Sequence, residues 1–401
     1  MNRFVVARAP ASTEDWALSV LVGRLGTDRA EVRRRARVVV WGLLGLIFLY
    51  QAHDLWGLLR IHVYGFDFHG GIWLAGRHIV HGQPVYGAPN AARLAAVGNA
   101  YIPPPLLAEA FLPVSLLPFS AATMALNLGC LTAMVVALWL MGVRQWELYA
   151  LCLLSVPFVF SLGWGDPDAL YALLLAVCWR YRDRWPAPVA VGALIAAKLL
   201  LWPLVIWLVA TRRIQGAIAA VLSAAALILI PWALIGFQGL ARYPQFLIAD
   251  GKVQSTNHSL TAVLRNLGMH GTPASVASVL IALAVGWAIA RAGRYDDRAW
   301  FVAAIVCGLL STTVMFPNYY VIVFILLALR PRRLDLWALT MLFFIPVHPG
   351  TWQVGFRLLL TVLIALGIVL PEPRPTTADP ARQDIAGDYS QRPALQSAHP
   401  D

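Results

Sequence analysis

The side chains able to do acid–base work in this chain are few, and they are bunched. The stretch "VYGFDFHGGIWLAGRHIVHGQPVYG", residues 63–87, holds one carboxylate, Asp67, and three histidines, His69, His78 and His81; His53 and His62 come just before it. Asp67 stands at the start of an expected amphipathic helix. Phe68, Ile72, Ala75 and Ile79 fall on one face, and His69, Trp73, Arg77 and His81 form a neighbouring stripe at intervals of four. A carboxylate there has a plain role, capping the helix N-terminus. It also has a chemical one. Held at a membrane surface it could act as a general base, an effect of about 10²–10⁴-fold in rate. His78 and His81 are three apart, a spacing that zinc can use, but no third ligand accompanies them and no metal is expected.

Three other places carry polar chemistry among apolar residues. "GWGDPDAL", 163–170, sets Asp166 and Asp168 two apart. Asp-Pro favours a turn and a helix start, and a D-x-D pair can also hold a divalent cation through phosphate oxygens. Lys198, in "AAKLLLWP", is the lysine inside an apolar run. A cation at mid-membrane costs about 2.5–3.5 kcal/mol, which makes it a functional candidate. The segment "QSTNHSLTAVLRNLG", 254–268, contains an N-x-S sequon at Asn257, then His258 and Arg265. Arg242, Lys252 and Arg265 are candidates for anion contact.

The elements that must position these groups are membrane helices. Hydrophobic residues make up 59% of the 401 and charged residues 13%, about half the charge of a soluble domain. Mean hydropathy is +0.68. The net charge of +11 is not a nucleic-acid footprint, because the arginines fall in short clusters between apolar runs, as membrane topology requires. No nucleic acid is expected as a partner. Apolar runs of span length are 38–58, 120–143, 147–164, 214–236, 272–291, 299–316 and 352–370, with shorter ones at 168–180, 318–330 and 334–347. Residues 187–210 are too short for two spans and predict a broken or re-entrant hairpin near Lys198 and Pro203. "YIPPPLLAEAFLPVSLLPFS", 101–120, has five prolines and cannot be one regular helix.

The expected fold is therefore all-α: a polytopic integral membrane protein of about 12 membrane segments. The basic N-terminus, 1–37, with its eight arginines, and the loops at Arg144, 180–184, 211–213, 291–298 and 330–333 are assigned to the cytoplasm. Both termini are then inside, and 60–119 and 237–271 are large extracytoplasmic loops on a domain of 38–370. The first span itself is expected to target the chain, with no cleavable leader. The Pro-, Ala- and Gln-rich tail, 371–401, is expected to be disordered and cytoplasmic. Cys130, Cys152, Cys178 and Cys307 all lie in apolar segments and read as packing residues. On this topology eight of the nine histidines, and Asp67, Asp166 and Asp168, face outward.

Five segments in order carry a family resemblance: "FDFHGGIWLAGRHIVHGQPVY", "YIPPPLLAEAFLPVSLLP", "GWGDPDALYALLLAVCWRYRDR", "GALIAAKLLLWPLVIWLVATRR" and "STNHSLTAVLR". Together they resemble glycosyltransferase family 87 of the GT-C superfamily, the polyprenyl-phosphate-mannose-dependent mannosyltransferases. Two segments depart from that pattern. "GDPD" stands where the family has a G-Q-x-N-like stretch, and Asn318-Tyr319 stands where relatives often show tryptophan and histidine pairs. The resemblance implies a GT-C-type fold and an inverting, single-displacement transfer. The hexose, most often mannose, passes from a polyprenyl-phosphate sugar donor to a lipid or glycan acceptor among membrane lipids, on the extracytoplasmic face. It gives Asp67 the role of base. It makes Lys198 and Arg265 candidates for the donor phosphate, and His69, Tyr101, Asp166, Asp168, Asn257, His258, Asn318 and Tyr319 candidates for substrate contact. No cofactor or metal is implied. The competing readings are a secondary transporter, suggested by the segment count and the broken hairpin, and a non-catalytic envelope assembly protein.

Overall fold

Apolar length dictates the elements. The computed structural model describes residues 64–87, 94, 100–253, 257–344 and 352–371, with isolated positions at 90 and between 38 and 60. The N-terminus 1–37, most of the expected first span 38–58, His62, His348 and the tail from 372 lie outside the described residues. The elements below belong to one unit that ends at Val369. Among the described residues there are only helices and turns, with no strand.

A π-helical turn, Phe68–Trp73, runs directly into helix α1, Leu74–Val80. The proline-rich stretch breaks into two short helices, α2 (Leu106–Ala110) and α3 (Leu112–Ser115), before Pro118 turns extended (ψ 144°) and starts α4, Phe119–Leu140. Next come α5 (Trp146–Leu153), α6 (Val156–Trp164), α7 (Asp168–Arg180), α8 (Pro186–Lys198), α9 (Leu204–Ala210) and α10 (Ile214–Leu234). The second half holds α11 (Tyr243–Val253), α12 (Leu260–Asn266), α13 (Thr272–Ala292), α14 (Asp297–Ser311), a 3₁₀ turn (Pro317–Ile322), α15 (Val323–Ala328), α16 (Leu334–Leu339) and α17 (Trp352–Val369).

Four of these helices, α4, α10, α13 and α17, are long and apolar enough to cross a membrane. The pair α5 and α6, bent by 51°, makes a fifth if counted as one span. Helix α14 is apolar all round and buried all round, from Phe301 to Leu310, and is the centre of the packing. All four cysteines are buried and free, as their apolar surroundings predict.

Three arginine-bearing loops meet at one aspartate. Asp297 accepts from Arg213 Nη1 and Nη2 at 2.8 and 2.9 Å and from Trp207 Nε1 at 2.7 Å, and it pairs with Arg182 Nε at 2.8 Å. The loops at 180–184, 211–213 and 291–298 therefore lie on one side of the bundle, as the arginine distribution predicts. The two long polar loops also meet each other, where the Tyr243 hydroxyl donates to Ile102 O at 2.9 Å.

Candidate active site

Two glycines bring the first carboxylates together. Gly65 N donates to Gly163 O at 2.7 Å, and Gly165 closes α6 in the left-handed region at φ 82°. A Cβ on Gly165 would sit 2.6 Å from Phe68 Cβ, and the Gly65 Cα lies 3.3 Å from the same point. Only glycine lets the chain before the π-helical turn lie against the α6–α7 corner. Tyr64 adds a tie to α4, its hydroxyl accepting from Asn127 Nδ2.

This approach sets Asp67 beside Asp166. Asp67 stands at the N-cap of the π-helical turn but makes no side-chain cap bond. Its carboxyl is hydrogen-bonded to that of Asp166. The Asp166 backbone is fixed from both sides: its N donates to Ser161 O at 2.8 Å, and its O accepts from Ser161 Oγ at 2.8 Å. Burial and the neighbouring Asp67 charge push the Asp166 carboxyl well above the usual range, so it keeps its proton and donates to Asp67. Burial also raises Asp67, to about 6, against the opposing pull of the Asp166 hydrogen bond and the Lys198 charge. Asp67 is thus a carboxylate near neutrality with a preset donor on one oxygen.

Lys198 supplies the positive charge. Helix α8 breaks at this residue, where φ is −155° and ψ 68°, and a 3₁₀ turn, Leu199–Leu201, follows. The break predicted between 187 and 210 is here. Lys198 Nζ lies 2.9 Å from Asp168 Oδ1, and Asp168 Oδ2 accepts from Asn318 Nδ2. Asp168 is the first residue of α7 and does not cap it with its side chain. The lysine is also sandwiched by rings, with Tyr319 3.3 Å and Tyr171 5.4 Å from Nζ to centroid. Asp168, Tyr171, Leu194, Lys198, Tyr319 and Ile322 line a narrow cavity at this point. Tyr171 is a site residue that the sequence reading missed. The signal was present: it follows Asp168 by three on the same helix face.

The other candidates take different places. Asn257 is fully buried and its amide serves the backbone, donating to Thr313 O at 3.2 Å and accepting from Ser259 N at 2.8 Å. His258 N donates to Met315 O at 2.8 Å, and burial, with the Arg357 charge, lowers its imidazole to about 4, so it is neutral. Together they brace the segment that delivers Asn318 and Tyr319. Tyr101 is buried and its hydroxyl accepts from Ala108 N at 3.0 Å. His69 stacks on Trp73 (5.3 Å), and Arg77 lies over the same indole (5.2 Å), so the expected stripe forms. Arg265 is half-buried on the last turn of α12. Among the described residues no group of three His, Cys, Asp or Glu side chains is placed to hold a metal ion.

An acid with a raised carboxyl, a second acid that donates to it, and an anchored ammonium can together take a proton from a hydroxyl and steady a departing anion. Comparison with known proteins gives the class of enzyme. The sequence model of Glycosyltransferase family 87 matches residues 101–317. That span includes Asp166, Asp168, Lys198, Asn257 and Arg265, and Asp67 lies before it. The chain is also 26% identical over 364 residues to the "Polyprenol-phosphate-mannose-dependent alpha-(1-2)-phosphatidylinositol mannoside mannosyltransferase" of Mycolicibacterium smegmatis (strain ATCC 700084 / mc(2)155), covering 79% of each chain. No solved structure matches. With more than half its length matched, apolar helices of spanning length and the five ordered motifs, this chain is a membrane glycosyltransferase belonging to glycosyltransferase family 87.

Proposed function

We propose that the protein moves a mannose from a polyprenyl-phosphate donor to a hydroxyl of a lipid or glycan acceptor, at the extracytoplasmic face of a bundle of about twelve membrane segments with both termini inside. The donor and the acceptor class follow the relative, whose name gives a polyprenol-phosphate-mannose donor and a phosphatidylinositol mannoside acceptor. The observation that carries the chemistry is the Asp67–Asp166 pair beside Lys198.

Asp67 takes the acceptor hydroxyl proton as the oxygen attacks the anomeric carbon. The bond from that carbon to the phosphate oxygen breaks, and its electron pair leaves with the polyprenyl phosphate. Attack from the face opposite the leaving group inverts the anomeric configuration. Asp166 stays protonated and orients the base. Lys198 and Arg265 meet the charge growing on the phosphate, a form of stabilisation that is strong where water is excluded. Asp168 and Asn318 hold Lys198 in place, and Tyr319 and Tyr171 wall the sugar side. His69, Tyr101, Asn257 and His258 shape the surround.

The test is transfer by the purified chain from a polyprenyl-phosphate mannose and, separately, from a nucleotide-linked mannose, with the product configuration read by NMR. Transfer from the lipid donor alone, with inversion, is expected. Retention of configuration overturns the single displacement, and equal use of the nucleotide sugar overturns the donor assignment.

A further inference from the structure

A second cleft lies where the two long polar loops meet, and the chemistry above leaves it unused. It has a volume of about 250 Å³ and is lined by Tyr86, Phe237, Gly239, Arg242, Tyr243 and Phe246 among others. Its floor is rigid. Tyr86, the last residue of the "GQPVY" motif, stacks on Trp232 at 5.1 Å and 19°, and meets Tyr243 and Phe246 edge-on at 5.5 and 5.8 Å. Its hydroxyl donates to Pro103 O at 2.7 Å. Gly239, at φ 87°, lies so close to Tyr86 that a Cβ there would meet its Cβ at 3.3 Å.

Three features of the cleft point to one occupant. Arg242 is exposed at the cleft, and no ion pair among the described residues engages it. The floor is aromatic, a surface on which the apolar face of a sugar or cyclitol ring packs. The cleft's lining includes an exposed apolar side chain, Phe237 (51%), of the kind that lies in acyl chains. Cation, ring platform and exposed apolar side chain match the phosphate, the sugar headgroup and the chains of an anionic glycolipid. A relay of aromatic side chains links the cleft to the active site. The Tyr86 ring is 5.8 Å from that of Tyr101, Tyr101 neighbours Tyr171, and Tyr171 faces Lys198.

We propose that this cleft holds the phosphodiester headgroup of a lipid acceptor, with Arg242 on the phosphate, and so selects phosphate-bearing glycolipids over neutral ones. The proposal rests on the reaction assigned above, and two arms separate them. In the first, full-length wild type and Arg242→Gln are assayed with a phosphatidylinositol mannoside and with an alkyl mannoside that lacks phosphate. The acceptor KM for the phosphate-bearing lipid is expected to rise about tenfold, the loss of one charge-assisted hydrogen bond. The kcat, the donor KM and turnover of the alkyl mannoside are expected to hold, and Arg242→Lys to recover part of the loss. An unchanged KM, or an equal loss on the alkyl mannoside, overturns the proposal. The second arm needs no transfer. Phosphatidylinositol in detergent should raise the Tm of wild type but not of Arg242→Gln, and phosphatidylcholine should raise neither. If wild type transfers no sugar, the reaction assignment fails and this arm alone decides the cleft: equal shifts in both proteins, or none, overturn it.

Discussion

Asp168 and Asn318 lie 150 residues apart in sequence and share one hydrogen bond, Asn318 Nδ2 donating to Asp168 Oδ2. The other oxygen of Asp168 takes Lys198, and the residue after Asn318 lays its ring against the same lysine. The two segments read from sequence as departures from the family's pattern, "GDPD" and Asn318-Tyr319, are thus partners of one another through Lys198. They make one constellation rather than two separate features.

Removing one member of that constellation strands the rest. Asp168→Ala leaves the Lys198 ammonium among apolar and aromatic groups. Breaking a buried pair costs about 3–5 kcal/mol. The lower end, about 3 kcal/mol, is expected here because the lysine side chain keeps 23% of its surface exposed. Thermal unfolding in detergent reads the loss. Adding Lys198→Met should restore much of the stability without restoring transfer. A double variant as unstable as the single one would show that Asp168 acts through packing alone.

Asp67→Asn keeps the shape of the side chain and removes the proposed base. Transfer should fall by about 10²–10⁴-fold, with Tm close to wild type because Asp67 caps no helix. Full activity at matched folding removes Asp67 from the mechanism.

The pH profile follows from the same pair. As the proposed base Asp67 must be ionised, and burial raises its carboxyl to about 6, so kcat should rise with pH through about 6 and be lost below it. Asp166 lowers Asp67 by donating to it. Asp166→Ala removes the donor, raises the Asp67 carboxyl further, and should move the acid limb to higher pH. Asp166→Asn, whose amide can still donate, should leave the limb near its wild-type place. Because the two acids interact, the limb reports the pair rather than either residue alone. A limb that shifts downward in Asp166→Ala contradicts the assigned direction of the bond.

Gly165→Ala touches no titratable group, yet should damage the site. The residue has φ 82° and its new Cβ would meet Phe68 at 2.6 Å, so a loss of more than about 1 kcal/mol is expected, with a fall in kcat as Asp67 is pushed from Asp166. Gly142→Ala is the control. It has φ 85° and open space around it, and should lose stability through strain alone while kcat holds.

Much of the architecture was legible in the sequence because membranes impose simple rules. Four of the seven apolar runs of span length became the long helices α4, α10, α13 and α17, while 147–164 is bent by 51° between α5 and α6 and 299–316 gives the 15-residue α14. The prolines of 101–120 broke that stretch into short helices. The expected break near Lys198 is present, and the cation has a partner in Asp168, as a charge among apolar helices requires. The helical stripe His69, Trp73 and Arg77 followed from spacing alone. Asp67, Lys198 and the "GDPD" acids stood out because ionisable groups are rare in a chain with 13% charged residues.

What each acid does was decided only by tertiary structure. Residue type offered the same plain role, a helix cap, for Asp67 and for the "GDPD" pair, and neither Asp67 nor Asp168 takes it. Their partners come from 30 and 150 residues away in one case and across a glycine–glycine contact in the other. Local periodicity carries no information about such long-range contacts. Asn257, by contrast, turned out to brace backbone at 313–315, a role its motif did not suggest. Sequence alone determined that this is a helical membrane protein with scarce polar groups. The fold decided which carboxyl keeps its proton, because that depends on burial and on the charge of neighbours that only packing brings together.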